Sequence, residues 1–381
     1  MGVKDIGDNV RRHMKIHGVA ISRLSMMTGL GTAAISNLLN GKSEPKSSTL
    51  IRIADALNVP FNALIADAPE LSCLRFRTAK TLSAREKAER DQLKHDTAIW
   101  LSDYWFLEHE LYENMPRCSL PQITNMDPFS AAIAVRDACS IDRDAPIYDI
   151  AQLIEDAGIK LRIRPFGFKK TFGLSVGDMN GGPAIVVNSE KGISVERQIF
   201  TIAHELGHLM LHKTSYTNTV EMEDQREEDE ANAFAGTFLV PDAALDKEWE
   251  ESRGLAFVDR VLKIKRIFKV SYMTVLIRLY QIGKASSYTT LIIRFRQEYL
   301  TRYGHDLKGY YEPDSITESP SGLVAKEDPH GLDTNDLMEE RFARSVREAY
   351  EKEIISMSRA GEMLNLSIMD MRHLVRAWQE L

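Results

Sequence analysis

Cysteine is scarce in this chain: Cys73, Cys118 and Cys139 are the only three in 381 residues. Odd in number and widely spaced, they argue against a disulfide framework or a zinc ribbon and suit a reducing cytoplasm. Long hydrophobic runs are missing too, none approaching the roughly 20 residues that cross a bilayer. The N-terminal residues lack an apolar leader, and Met1-Gly2 is not followed by the Ser or Thr of a myristoylation site. The expectation is a cytoplasmic protein with no membrane partner. Charge of one sign is not in large excess, at a net −7 with 27% charged and 44% hydrophobic residues. That composition excludes a disordered chain and fits a globular protein of two or three domains.

The small net charge hides an asymmetry. In residues 1–66, Lys4, Arg11, Arg12, Lys15, Arg23, Lys42, Lys46 and Arg52 stand against Asp5, Asp8, Glu44 and Asp55, which leaves +4 there and −11 in the remainder. A small basic unit on an acidic body points to nucleic acid at one end only. The apolar spacing in this unit predicts four short helices. The first, about Asp5 to Ile16, has Ile6, Val10 and Met14 on one side. A second, capped by Ser22, carries Leu24 and Met27. A third, capped by Thr32, turns Ile35, Leu38 and Leu39 inward and closes at Asn40-Gly41. A fourth, capped near Ser47 or Ser48, buries Leu50, Ile53, Ala54 and Leu57.

Two short helices joined by a Gly-containing turn and held by flanking helices form a helix-turn-helix, whose second helix enters the major groove of duplex DNA. Its outward residues Thr32, Ala33, Ser36 and Asn37 are suited to base edges, and Lys42 and Lys46 to phosphates. The stretch Ile35-Ser36 to Gly41-Lys42 resembles the close of the recognition helix in the lambda-repressor-like, or xenobiotic-response-element (XRE), family. A four-helix bundle that binds protein is the blander alternative.

Residues 67–146 read as a helical connector after the Asp67-Ala-Pro-Glu break. A capping box, Ser83 with Glu86, opens a long helix through Leu93, Trp100, Trp105 and Leu111, and a second helix spans roughly Pro128 to Cys139. Its aromatics suit core or homodimer packing.

Residues 147–249 carry the chemistry. After a helix ending at Gly158, the apolar runs Ile159 to Ile163, Thr171 to Val176 and Ala184 to Val187 predict a small, mostly antiparallel sheet. Ala184–Val187 is the candidate edge for an extended peptide. In Phe200-Thr-Ile-Ala-His-Glu-Leu-Gly-His-Leu-Met-Leu-His212, His204 and His208 are four apart, one above the other on a helix. Zinc suits that pair, since two imidazole nitrogens can reach one ion at about 2.0–2.1 Å. Glu205 lies where a carboxylate can take a proton from an attacking water. Surrounding apolar residues imply a buried helix, in which a His-Glu-His cluster without a partner is costly.

His212 lies about 12 Å along the helix from His204, too far to share its ion. Zinc peptidases with a third His turn the chain at a Gly, where Leu211 stands here. A structural or substrate-side role is expected for His212. A second helix, read over Glu227 to Pro241, has Ala231, Phe234, Ala235, Phe238 and Leu239 inward, which brings Glu227 and Glu228 to or near that face. Glu228 is the expected third zinc ligand, Asn232 a support for a neighbouring ligand, and Glu230 the alternative ligand.

Arg197 to His212, followed by Glu228-Asp-Glu-Ala-Asn-Ala-Phe-Ala-Gly-Thr-Phe-Leu-Val-Pro241, resembles the ImmA/IrrE family of metallopeptidases, in which a fused N-terminal helix-turn-helix is familiar. The resemblance covers about residues 140–250. It implies a zincin-like, gluzincin-type site with His204, His208 and a downstream Glu on zinc and Glu205 as general base. It also implies a substrate class: helix-turn-helix repressors of mobile elements or stress regulons, cut to relieve repression.

Residues 250–381 read as a helical tail. Val261 to Gly283 and Leu337 to Leu381 resemble degenerate helix-turn-helix pairs, joined by a linker from Pro313 to Thr334. The whole is expected to be mainly α with a small antiparallel sheet, an α+β chain. Three functions are open: a cytoplasmic transcriptional regulator with a working zinc endopeptidase, a transcription factor or antitoxin whose peptidase-like domain senses without cutting, and a structural zinc domain. An intact His-Glu-x-x-His disfavours the second, because a sensor has no need of Glu205. The third would close the fourth zinc position with Cys or His, and no Cys is near in sequence.

Overall fold

A computed structural model of the chain describes residues 3–65, 71, 74–78, 82–114, 117–121, 123, 125–179, 181–217, 224–304, 306–307, 312 and 332–379. The 67–70 break, residues 218–223 of the polar loop and residues 313–331 of the expected linker lie outside the described residues.

The N-terminal unit has five helices: α1 (Val3–Ile16), α2 (Ile21–Thr28), α3 (Thr32–Leu39), α4 (Ser47–Leu57) and α5 (Phe61–Ile65). Val10, Leu24, Ile35, Leu38, Ile53, Leu57 and Leu64 meet in a core of their own. The apolar spacing is as expected, but the caps move by a residue or two. Ser22, Thr32 and Ser47 sit inside the first turns, while Ala20, Gly31 and Lys46 take the N-cap positions with extended backbone and no side-chain cap. Leu24 and Thr28, one turn apart, take the inward face of α2, so Met27 is turned out.

The body contains a four-stranded sheet: β1 (Leu74–Thr78), β2 (Lys160–Arg164), β3 (Thr171–Val176) and β4 (Ala184–Asn188), in the order β1-β3-β4-β2. Three expectations change here. The sheet is mixed, because β2 pairs parallel with β4 while β1–β3 and β3–β4 are antiparallel. The connector expected to be helical supplies β1 as well as α6 (Ala84–Leu111), with its Ser83–Glu86 capping box, and α7 (Pro128–Ala138). Finally, Ala184–Val187 is no edge, since β4 is paired on both sides and buried throughout.

Buried Asn188 explains the crossover from β2 to β3. Its Nδ2 donates to the carbonyls of Phe168 and Thr171, both at 2.7 Å, and its Oδ1 accepts from Phe166 N at 3.2 Å. The 165–170 connection is thereby held open, and β4 fits between β2 and β3. An unbroken apolar run with both faces covered belongs inside a sheet.

The period of two along the strands divides the core. Leu161, Ile185 and Val187 face a cluster built with α8 (Ile150–Asp156), α9 (Val195–Leu211), α10 (Gln225–Leu239) and the helices α11 (Asp242–Glu251), α12 (Phe257–Phe268), α13 (Tyr272–Gln281) and α14 (Tyr288–Tyr303). Leu174, Val176, Ala184 and Val186 face a second cluster with α6 and with α15 (Arg341–Glu351), α16 (Met357–Leu364) and α17 (Ile368–Gln379). The sheet thus lies between two helical layers, with α9 packed directly on β3 and β4. Both expected tail pairs, α12–α13 and α16–α17, form, each turning at a left-handed residue, Lys269 and Asn365.

Two buried arginines fix the far end of α10. Arg136 donates to the carbonyls of Phe238 at 2.8 Å, Asp142 at 2.7 Å and Ala145 at 2.6 Å, and Arg278 donates to that of Val240 at 3.0 Å. Cations suit the carbonyl end of a helix, where backbone acceptors lack partners. The two arginines thereby anchor the helix that carries Glu228. Arg136→Met keeps the bulk but leaves three carbonyls without their donor. It should lower stability by about 2–4 kcal/mol, read as a shift in the urea midpoint with an unchanged slope.

Candidate metal centre

The site forms where α9 and α10 cross. Gly207 makes the crossing close: a Cβ there would sit 3.1 Å from Phe234 Cδ1 and 3.3 Å from Ala231 Cα. A larger residue would wedge the helices apart. At this spacing the Glu228 carboxylate spans both imidazoles, Oε2 at 3.2 Å from His204 Nε2 and Oε1 at 3.1 Å from His208 Nε2. The two Nε2 atoms are 3.0 Å apart. Glu230 stands apart from this trio, 3.0 Å from His212 Nε2, while Asp229 is exposed.

The outer nitrogens determine the tautomers. His204 Nδ1 is 3.0 Å from Asn232 Oδ1. A proton on Nδ1 donates there and leaves the Nε2 lone pair turned inward. His208 is held through a longer chain. Glu230 Oε2 accepts from His212 Nε2, so His212 Nδ1 is an acceptor, and at 2.9 Å it takes the proton of His208 Nδ1. The inner nitrogen of His208 is then also a lone pair. Arg226 Nε, 2.9 Å from Glu230 Oε1, holds the outer end of the chain. His212 thus has a structural role toward His208, a contact that the His-x-x-x-His spacing of 208 and 212 places on one helix face.

Three electron-rich donors at this separation repel one another unless a cation lies between them. The ligand atoms of His204, His208 and Glu228 all fall within 4.8 Å of each other, and among the described residues no other such group of His, Cys, Asp and Glu occurs. Two neutral imidazoles and a carboxylate suit zinc with a position left open. Burial lowers the pKa of His208 and favours the neutral ring that a metal needs.

Glu205 lies against β3. Its Oε2 accepts from Ser175 Oγ at 2.5 Å, and Ser175 Oγ accepts from Tyr216 OH at 2.8 Å. Burial, and then the nearby Glu205 charge, push the Tyr216 pKa well above its usual value, so the phenol remains a donor. Gly173 completes this wall, since a Cβ there would lie 2.5 Å from Thr201 Cγ2 and 3.1 Å from Glu205 Oε1. Arg75 of β1 pairs with Glu227 and lies 3.8 Å from Glu228 Oε1, and Ser215 Oγ donates to Glu227 at 2.6 Å.

Arg75, Ser175 and the two close-contact glycines were not picked out from the sequence. Only Gly207, a small residue inside the motif on a face that must pack, left a readable trace. In the N-terminal unit, Thr32, Ala33, Asn37, Lys42 and Lys46 are exposed and Ser36 is half-buried within reach of Asn40. The body meets this unit elsewhere, with Arg12 donating to Gln92 and Asn62 to Glu362, each at 3.4 Å.

Residues 154–280 match the family described as IrrE N-terminal-like domain, a peptidase family, and residues 10–64 match the family described as Helix-turn-helix. Comparison with curated proteins finds no match. The chain therefore joins an XRE-type helix-turn-helix domain to an IrrE-like peptidase domain, as the two resemblances in the sequence imply. That pairing fits a DNA-binding regulator with a protease-like domain. Among the described residues no helix is long and apolar enough to cross a membrane.

The Glu230–His212 chain gives a prediction separate from the ligands themselves. His212→Ala or Glu230→Gln should weaken zinc binding about 10- to 100-fold, as loss of such supporting partners typically does. His204→Ala should remove stoichiometric binding altogether. Competition against a chromophoric chelator measures both, and equal affinity in wild type and Glu230→Gln would show that the chain has no effect on the metal.

Proposed function

We propose that this is a cytoplasmic transcriptional regulator that binds operator DNA through residues 1–66 and cuts a helix-turn-helix repressor with a zinc-dependent endopeptidase site. The observation that carries the reading is the convergence of His204, His208 and Glu228 beside Glu205, within a domain of a peptidase family. His204, His208 and Glu228 would hold the metal. Bound zinc supplies Lewis acidity, which polarises a scissile carbonyl and makes water a nucleophile near neutral pH.

The remaining work falls to the chain's own groups. Glu205 accepts the proton of the attacking water and returns it to the leaving amine. Ser175 fixes one oxygen of that carboxylate and Tyr216 fixes Ser175, so the base is oriented before a substrate arrives. Asn232, and His212 through His208, keep the inner imidazole nitrogens unprotonated. The sensor reading gains nothing from this arrangement, since a site that only binds has no use for an oriented carboxylate.

On the DNA side, α3 presents Thr32, Ala33, Ser36 and Asn37, with Lys42 and Lys46 just beyond it. The net +4 of the unit supports phosphate contact. We assign residues 67–146 to a connector, 147–249 to the catalytic unit and 250–381 to helical packing, with homodimerisation compatible with the exposed Trp105.

Two results are expected. Glu205→Gln should retain zinc and fold but lose cleavage of a helix-turn-helix repressor, because an amide cannot accept the proton; the readout is zinc content beside a gel-based cleavage assay. Affinity of residues 1–66 for duplex DNA should fall steeply with salt. Asn37→Ala should there relax sequence preference by about 1–3 kcal/mol, and Lys42→Ala should weaken all sequences alike. Binding unaffected by Asn37→Ala and Lys42→Ala across a salt series would place the DNA contact elsewhere.

A further inference from the structure

The strand that borders the proposed catalytic carboxylate is β3. Ser175 and Gly173 face α9 and lie against Glu205, one through a 2.5 Å hydrogen bond and the other through its missing Cβ. The outer edge of β3 is therefore the main-chain edge closest to the base. In an open sheet of this kind an extended peptide adds to such an edge through backbone hydrogen bonds, with alternate side chains giving selectivity. Here that position is filled by β1, whose residues pair antiparallel with Val176 back to Thr171.

Several features mark β1 as an occupant. It lies outside the 154–280 span that matches the peptidase family, whereas β2, β3 and β4 lie inside it. It is five residues long, and its register shifts between Arg77 and Thr78. Leu74, Arg75 and Phe76 remain half-buried, while their partners Leu174 to Val176 are buried. The side chains divide as those of a bound peptide would. Leu74 and Phe76 pack on the apolar cluster beneath α6, with the Arg90 guanidinium 5.3 Å from the centre of the Phe76 ring. Arg75 turns to the opposite face, pairing with Glu227 and reaching toward Glu228.

We infer that residues 74–78 occupy, in cis, the strand site for the peptide to be cut, and that substrates displace them. The inference rests on the peptidase reading of the site. It specifies the substrate as an extended segment with an apolar–basic–apolar sequence, the basic side chain directed to Glu227. Because the segment follows the helix-turn-helix unit by a few residues, the unit that binds DNA is tethered to the strand that fills the site.

The test uses full-length Glu205→Gln protein, loaded with zinc, so that no cleavage is needed. The probe is a fluorescein-labelled peptide copying residues 72–80. Adding Leu74→Ser and Phe76→Ser to the Glu205→Gln chain should tighten probe binding at least tenfold by anisotropy. Hydrogen exchange at the amides of 173–176 should rise on that substitution and fall again when the peptide is added. Should the doubly substituted strand unfold the body, Phe76→Ala alone provides the same comparison, with a smaller gain. Equal probe affinity with and without the substitutions, or tighter binding without renewed protection of 173–176, would make β1 an integral strand and overturn the inference. Because these readouts do not involve turnover, such a result leaves the peptidase reading standing. Conversely, peptide protection of β3 in a wild-type protein that cleaves nothing would reject the peptidase reading alone.

Discussion

Three lone pairs aimed at one point between α9 and α10 make the most demanding interaction in this molecule. His204 Nε2, His208 Nε2 and the Glu228 carboxylate are about 3 Å from one another, an arrangement that only a cation relieves. Much of the surrounding structure serves to hold them there. Gly207 lets the helices approach, Arg136 and Arg278 pin the distal end of α10, and Asn232, His212 and Glu230 determine which imidazole nitrogen carries a proton.

The same logic separates the two carboxylates on the way to function. Glu228 faces inward to the imidazoles, whereas Glu205, one residue along from His204, is rotated toward the sheet and held by Ser175. A rotation of about 100° per residue on a helix puts neighbours on different faces. Adjacent residues of one motif can therefore meet different partners, His204 facing Glu228 and Glu205 facing Ser175. The sheet contributes through β3, and it is β1 that stands between this wall and solvent.

Much of the fold was legible because its signals are local. The capping box at Ser83, the apolar stripes of α3, α9 and α10, and the three runs that became β2, β3 and β4 all depend on residues close in sequence. Strand order was not legible in this way. The crossover that places β4 between β2 and β3 depends on Asn188 reaching back 17 to 22 residues, which no period encodes. β1 escaped notice because Leu-Arg-Phe-Arg-Thr is short, isolated and needs a partner about a hundred residues away. In the site, the spacing of His204, Glu205 and His208 and the placing of Glu228 toward α9 were legible from helix geometry. Ser175 and Arg75 are brought in by sheet register, and Tyr216 lies in the short 3-10 turn Lys213–Thr217 after α9, too short for periodicity to give a direction.

The central claim is the donor set, and zinc K-edge X-ray absorption on the loaded full-length chain tests it most directly. The account predicts a nitrogen and oxygen shell near 2.0–2.1 Å with the multiple-scattering signature of two imidazoles and no sulfur. In Glu228→Ala the two imidazoles should persist while the oxygen contribution falls. A sulfur shell near 2.3 Å, a third imidazole, or a spectrum unchanged by Glu228→Ala would contradict it.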